Sequence, residues 1–259
     1  MGGEIKTMIQ EKTLPPLHCN PLFYGSLFSG IGGIDLGFDR AGMRCAWQCE
    51  VNPFARKVLE KHWPEVRRHD DIRTFEPTPV DVLCGGFPCQ DISSVGHRAG
   101  INEGTRSGLW SEYVRIIRTI RPRVVVVENV AALLVRGMDR VCGDLAASGY
   151  DAEWECLPAG AFGAPHKRDR VFICAYPAGS GLQGCLQAKP FNRKAGEGWN
   201  CEPTRILSRD WYYRSNVHRH YGMDDGIPDR VERIRGYGNA VVPQVAEWIG
   251  RRIVECLSP

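Results

Sequence analysis

The chain has 259 residues, 43% of them hydrophobic, enough for one large α/β domain with a small appended region. Its formal net charge is only +3, so a polyanionic partner has to be argued from local clusters and not from the total. The eleven cysteines include no Cys-x-x-Cys pair. Cys45 and Cys49 come nearest to metal spacing but lack a second pair, so reduced thiols are expected and a structural zinc is not. The start of the chain mixes Glu4, Lys6, Glu11 and Lys12 without a secretory pattern, and no apolar run approaches the ~20 residues that span a bilayer. A soluble protein is the expectation.

Residues 1–21 hold Pro15, Pro16 and Pro21 without periodicity and read as a tail. Structure is expected from about Phe23. Tyr24 to Phe28 suits a first strand, followed by the turn Ser29-Gly30-Ile31-Gly32-Gly33 and a helix through Ile34, Leu36, Phe38 and Ala41. A glycine turn between strand and helix brings backbone N–H groups and a helix N-terminus close to a ligand. A second strand, Arg44 to Glu50, ends in an acid twenty positions after Gly30, a spacing suited to ribose hydroxyls. Gly-x-Gly-x-x-Gly is not met, which favours a nucleoside without a pyrophosphate; a solvated charge at a strand end is the alternative for Glu50. Pro53 starts a helix, and a third strand is expected to end at Asp70-Asp71-Ile72, where a carboxylate could face an adenine amino group.

Asp81 to Ser94 reads as a buried strand that leaves the sheet at Gly85-Gly86, with Pro88 fixing the backbone before Cys89. A thiol held at a strand end is a candidate nucleophile, against the plainer reading of a small apolar residue in a turn. Gly96 to Gly108 reads as a loop carrying His97, Arg98 and Arg106. Trp110, Tyr113, Val114, Ile117 and Ile120 recur at helical spacing and are expected in the core. Four consecutive valines, Val124 to Val127, make a buried strand ending in Glu128-Asn129-Val130. A helix over Ala131 to Ser148 and strands over Glu153 to Leu157 and Val171 to Ala175 follow. Arg168 and Arg170 alternate, so both would point to one face of an extended segment.

The alternation of strand and helix predicts an α/β fold, a mainly parallel sheet with helices on both faces. Beyond Tyr176-Pro177, Arg205, Arg209, Trp211, Tyr212, Tyr213, Arg214, His218, Arg219, His220 and Tyr221 interleave cations with aromatics. That mixture suits phosphate contact and base stacking, or alternatively a wet, loop-rich surface. Gly236 to Pro243 leads into a last helix with Val245, Ala246, Ile249 and Ile253 on one side.

From about Phe23 to Cys256 the chain resembles the DNA cytosine-5 methyltransferases. Five blocks stand in the family's order: Phe28-Ser29-Gly30-Ile31-Gly32-Gly33, Gly86-Phe87-Pro88-Cys89-Gln90, Glu128-Asn129-Val130, His166-Lys167-Arg168-Asp169-Arg170 and Gly236-Tyr237-Gly238-Asn239-Ala240-Val241. The resemblance implies a Rossmann-like S-adenosylmethionine-dependent methyltransferase sheet plus a small target recognition region. It divides the chain into the tail, a catalytic domain over 22–176, a recognition region over 177–230 and a C-terminal segment, 231–259, that returns to the catalytic domain.

The resemblance also implies roles. Phe28, Gly30, Gly32, Glu50, Val51, Asp71, Ile72, Pro88, Leu109, Asn239 and Val241 would line the S-adenosylmethionine site. Cys89 would be the nucleophile, Glu128 the group holding the cytosine ring, and Arg168 and Arg170 the cations near the base. Gln90, Ser93, Arg98, Arg209, Tyr212, Arg214, His218 and Arg219 would contact nucleic acid. Duplex DNA is the implied partner, with a cognate restriction endonuclease as a candidate second one, in a cytoplasmic, nucleoid-associated monomer of a bacterial or phage-infected cell. His166 stands where the family usually has glutamine, and the recognition segment is short for the family.

Three other readings share some of these residues. An RNA cytosine-5 methyltransferase would use the same catalytic groups. A nicotinamide-dependent dehydrogenase would use the glycine turn and Glu50, but the missing pyrophosphate pattern and the Pro-Cys-Gln block disfavour it. A non-catalytic DNA-binding relative would not need Cys89, Glu128 and Arg170 together.

Overall fold

A computed structural model describes residues 21–88, 109–164, 166–184 and 229–258. The first half runs β1 (Phe23–Leu27), α1 (Gly33–Arg40), β2 (Arg44–Cys49), α2 (Pro53–His62), β3 (Arg67–His69) and β4 (Val82–Gly86). It continues through α3 (Trp110–Ile120), β5 (Val124–Val130), α4 (Met138–Ala147), β6 (Tyr150–Pro158) and β7 (Asp169–Pro177). Two helices, α5 (Arg230–Asn239) and α6 (Pro243–Leu257), complete the described chain.

The strands form one sheet of seven in the order β3-β2-β1-β4-β5-β7-β6. β1 to β5 run parallel, while β7 lies antiparallel between β5 and β6. The chain goes outward from β1 to β3, then returns to the other side of β1 at β4. The carboxyl ends of β1 and β4 therefore border the crevice where open α/β sheets bind ligands.

The valines of β5 show how the layers are held. Successive side chains of a strand face opposite ways. Val125 and Val127 join a core with Trp110, Tyr113, Ile116 and Ile117 of α3 and Val141 and Leu145 of α4. Val124 and Val126 join the opposite core, with Ile34 and Phe38 of α1 and Val245, Ala246 and Ile249 of α6. All four are at most 1% exposed, and each such burial stabilises by about 1.5–3 kcal/mol. Helices thus cover both faces, as the alternation predicts. No helix among the described residues is long and apolar enough to cross a membrane.

Several boundaries differ from expectation. The third strand stops at His69, and Asp71 caps a 3-10 turn over Ile72–Thr74 by accepting from the Arg73 amide. Residues 131–148 divide into a 3-10 turn, Ala131–Val135, and α4, because Gly137 has a positive φ of 132°. Gly236, Tyr237, Gly238 and Asn239 belong to α5 and are not a lead into the last helix. The two glycines before Cys89 do not form a sharp exit either; Gly85 and Gly86 are the last residues of β4, paired with Val127 and Glu128. Of the expected recognition region, residues 185–228 lie outside the described residues.

The last helix is seated by small residues. A methyl on Gly37 of α1 would fall inside contact distance of the Ala246 side chain and 2.6 Å from the Pro243 carbonyl oxygen. Gly37→Ala raises helix propensity by about 1 kcal/mol, but overpacking at this seam costs about 1–3 kcal/mol. We expect a lower urea midpoint with an unchanged slope; a midpoint equal to or above that of the parent would contradict the close α1–α6 packing.

Candidate active site

The carboxyl end of β1 opens into a turn that uses positive φ at Phe28 (52°), Gly30 (56°) and Gly32 (85°). Glycine accepts that conformation without the Cβ penalty, which exposes the turn's backbone. The Glu50 carboxylate, just past β2, accepts from Gly30 N (2.7 Å) and Asn52 N (2.7 Å). Glu50 is therefore anchored to the turn and is not a loose terminal charge. A carboxylate with two N–H donors retains lone pairs for further donors. Val51 beside it is 68% exposed, an apolar side chain suited to covering a flat ring.

The other residues expected at the cofactor differ in burial and in their partners. Ile72 is buried, and Phe28 and Leu109 both pack on the core cluster that contains it. Asp71 is engaged: Arg73 donates to both its oxygens, at 2.9 and 2.6 Å, and holds its pKa down to about 2. Pro88 follows the end of β4. The Val241 backbone lies against Gly33, where a Cβ would collide with its carbonyl oxygen. Asn239 is exposed at the end of α5. A glycine turn with an anchored acid and an exposed apolar neighbour fits an adenosyl group, and the chain's own residues supply each part.

One strand further on, Glu128 of β5 is only 8% exposed. Its cross-strand partner is Gly86, and a Cβ there would collide with Glu128 Oε2. Gly86 is what gives the carboxylate room. From β7, Arg170 Nε approaches Glu128 Oε1 at 3.0 Å. Burial raises the Glu128 pKa from 4.5 to about 7 despite the opposing charges of Arg170 and Arg168. Near neutral pH this group can both donate and accept a proton. Asn129, the next residue, donates from Nδ2 to the Phe87 carbonyl (3.2 Å), so β5 also braces the chain two residues before Cys89.

The shared face required an extended segment, and the chain is not extended at Arg168, which has a positive φ of 34°. Arg168 nevertheless stands, like Arg170, near enough to Glu128 to act on its pKa. Arg168 donates to the carbonyls of Gly238 and Ala240, both at 2.7 Å, on either side of Asn239. His166 is half-buried with Nδ1 unpartnered, and burial together with the charge of Arg168 lowers its pKa. Cys84, fully buried in β4, has its thiol pushed well up by burial and is unsuited to attack.

Cys89, Gln90, Ser93, Arg98, Arg209, Tyr212, Arg214, His218 and Arg219 lie outside the described residues. Among the described ones, the sequence reading passed over Asn52 and Asn129 as site-forming groups. Asn-Pro at a helix start is an N-cap signal that would have found Asn52, whose Oδ1 accepts from Ala55 N at 2.9 Å. Asn129 offered only its place beside Glu128.

The Glu128 shift has a consequence for stability. Between pH 4.5 and about 7 the folded chain keeps a proton that the unfolded chain releases, so this contribution is full in acid and is lost as pH rises through 7. Glu128→Gln cannot ionise. Its stability relative to the parent should therefore rise by about 3 kcal/mol between about pH 4.5 and about pH 8, read by urea unfolding. A difference that stays flat across that range would contradict the buried-acid assignment. Asp35, buried and raised to about 6, is present in both proteins and cancels.

Known proteins resemble this chain in sequence and in fold. The family described as C-5 cytosine-specific DNA methylase matches residues 24–207. Type II methyltransferase M2.BsuMI of Bacillus subtilis (strain 168) is 38% identical over 159 residues, covering 58% of this chain and 41% of the relative. Type II methyltransferase M.NgoFVII of Neisseria gonorrhoeae is 32% identical over 181 residues, covering 66% and 48%. The chain thus spans less than half the length of these two relatives. Among solved structures, the Entamoeba histolytica methyltransferase EhMeth superposes with a TM-score of 0.63 at 14% identity, over 93% of this chain and 100% of that one. A prophage-encoded protein of E. coli described as a DNA modification methyltransferase gives 0.62 at 17%, over 92% and 100%. These two likenesses show the fold, a Rossmann-like sheet with helices on both faces, and the match over 24–207 shows the family: the chain belongs to the C-5 cytosine-specific DNA methylase family.

Proposed function

We propose that this chain transfers a methyl group from S-adenosylmethionine to carbon 5 of cytosine in duplex DNA, through a covalent Cys89 adduct to a base turned out of the helix. The observation that carries the reading is the Glu128 carboxylate, buried opposite Gly86, paired with Arg170 and holding a pKa of about 7.

Carbon 5 of cytosine is a poor nucleophile. Addition of the Cys89 thiolate to carbon 6 makes the ring enamine-like at carbon 5, provided that the charge developing at ring nitrogen 3 is met. Glu128 can deliver a proton there and accept from the exocyclic amine, with Arg170 fixing the carboxylate's orientation. Glu50 would take the ribose hydroxyls and Val51 the adenine, with Phe28, Gly30, Gly32, Asp71, Ile72, Pro88, Leu109, Asn239 and Val241 around them. Held there, S-adenosylmethionine supplies an electrophilic sulfonium methyl. Once carbon 5 is methylated, loss of its proton and departure of Cys89 restore the aromatic ring and free the thiol.

A stacked base is out of reach of such a site, and extruding it costs a few kcal/mol. The recognition region, 177–230, with Arg209, Tyr212, Arg214, His218 and Arg219, is assigned to that work, together with Gln90, Ser93 and Arg98. Residues 22–176 and 231–259 form the catalytic body on this reading.

Cys89→Ala should abolish methyl transfer while leaving S-adenosylhomocysteine binding intact. With duplex DNA carrying 5-fluorocytosine, where fluorine blocks proton loss, the parent should give a denaturation-resistant complex and Cys89→Ala none. Turnover by Cys89→Ala, or no shifted band with a verified target site, would overturn the mechanism.

A further inference from the structure

Asn52 makes three contacts that together join distant parts of the chain. Its Oδ1 caps α2 at Ala55 N, and its backbone N–H donates to Glu50 Oε1 at 2.7 Å. Its Nδ2 donates to Glu232 Oε2 at 3.1 Å, across 180 residues of sequence. The other oxygen of Glu232 accepts from Arg235 at 3.2 Å. A continuous path therefore runs from Gly30 N through Glu50 and Asn52 to the first turn of α5. The same helix lies against the glycine turn: a Cβ on Gly236 would stand 3.1 Å from Ile31 and 4.0 Å from Phe54.

Polarity makes this path directional. Because the Asn52 carbonyl oxygen is committed to capping α2, only its N–H₂ group can face α5, and an acceptor is required there. Glu232 supplies one. No residue of α5 is fully buried, so polar fastenings matter to its seating; Arg168, gripping the carbonyls of Gly238 and Ala240, holds its other end.

We propose that Glu232 is a positioning residue of the cofactor pocket: through Asn52 it fixes the Glu50 carboxylate, making α5 a wall of the ribose site. This rests on Glu50 being the ribose acceptor. Without Glu232, the Asn52 amide loses its outer partner, and the segment carrying Glu50 gains freedom. The competing view is that Glu232 serves only its ion pair with Arg235, an exposed i,i+3 contact that ligand affinity would not register.

Titration calorimetry of the full chain separates these views, using S-adenosylhomocysteine and its 2′,3′-dideoxyribose analogue. Glu232→Ala should weaken S-adenosylhomocysteine binding about three- to tenfold, as expected for one mispositioned hydrogen-bonding group. It should leave the analogue, which lacks the hydroxyls, unchanged. Glu232→Gln keeps an acceptor for Asn52 and should restore most of the affinity, although it abolishes the charge pairing with Arg235. Equal losses for both ligands would mean general loosening and would overturn the proposal, as would no loss at all. Glu50→Ala is the reference for the underlying reading. If it weakens S-adenosylhomocysteine and Glu232→Ala does not, only the positioning role fails; if it has no effect, the ribose assignment fails and the positioning role with it.

Discussion

A carboxylate taken out of water is costly unless neighbours answer it, and the architecture around Glu128 is arranged to do so. Three adjacent strands cooperate. β5 carries the acid, β4 withdraws its side chain at Gly86 to make space, and β7 brings Arg170 to 3.0 Å. The antiparallel direction of β7 is essential to this. β7 begins where β5 ends, with Arg170 opposite Val130, so the residues entering β7 stand at the carboxyl edge of the parallel strands. A parallel strand in that position would begin at the opposite edge, far from Glu128. The arginine moderates the burial penalty without cancelling it, which leaves a proton on offer near neutral pH.

The same edge receives the segment that joins α5 to α6. Arg168, two residues before Arg170, reaches the carbonyls on both sides of Asn239, and Val241 lies on Gly33 at the start of α1. The acid's neighbourhood and the glycine turn are thereby tied to one C-terminal segment. On the proposed function, the segment holding the methyl donor and the group orienting the acceptor base share a single scaffold. α6 then secures that segment to α1 through the close packing of Gly37 on Ala246.

Much of this was legible in residues whose role is local. The valines of β5 announce a strand buried on both faces, and the α3 apolar residues recur at helical spacing because one side of that helix faces the core. Glu50 could be selected by its distance from Gly30. Features set by tertiary neighbours were not legible. Gly86 reads as a turn residue because nothing local reveals the Glu128 carboxylate on the next strand. The break in extended backbone at Arg168 was hidden because a positive φ at an arginine has no sequence signal. α5 was missed because Gly236 and Gly238 lower its helix propensity and its apolar residues are not buried. The antiparallel insertion of β7 was hidden too, since strand direction depends on partners and not on composition.

The most direct test of the account is the chemical identity of the product. Duplex DNA and transfer RNA are incubated separately with the chain and labelled S-adenosylmethionine, then digested to nucleosides and resolved by mass spectrometry. The account predicts label in 5-methyl-2′-deoxycytidine from the duplex, lost when Glu128 or Cys89 is replaced. Label confined to transfer RNA, or placed on an exocyclic amine of cytosine or adenine in DNA, would contradict it.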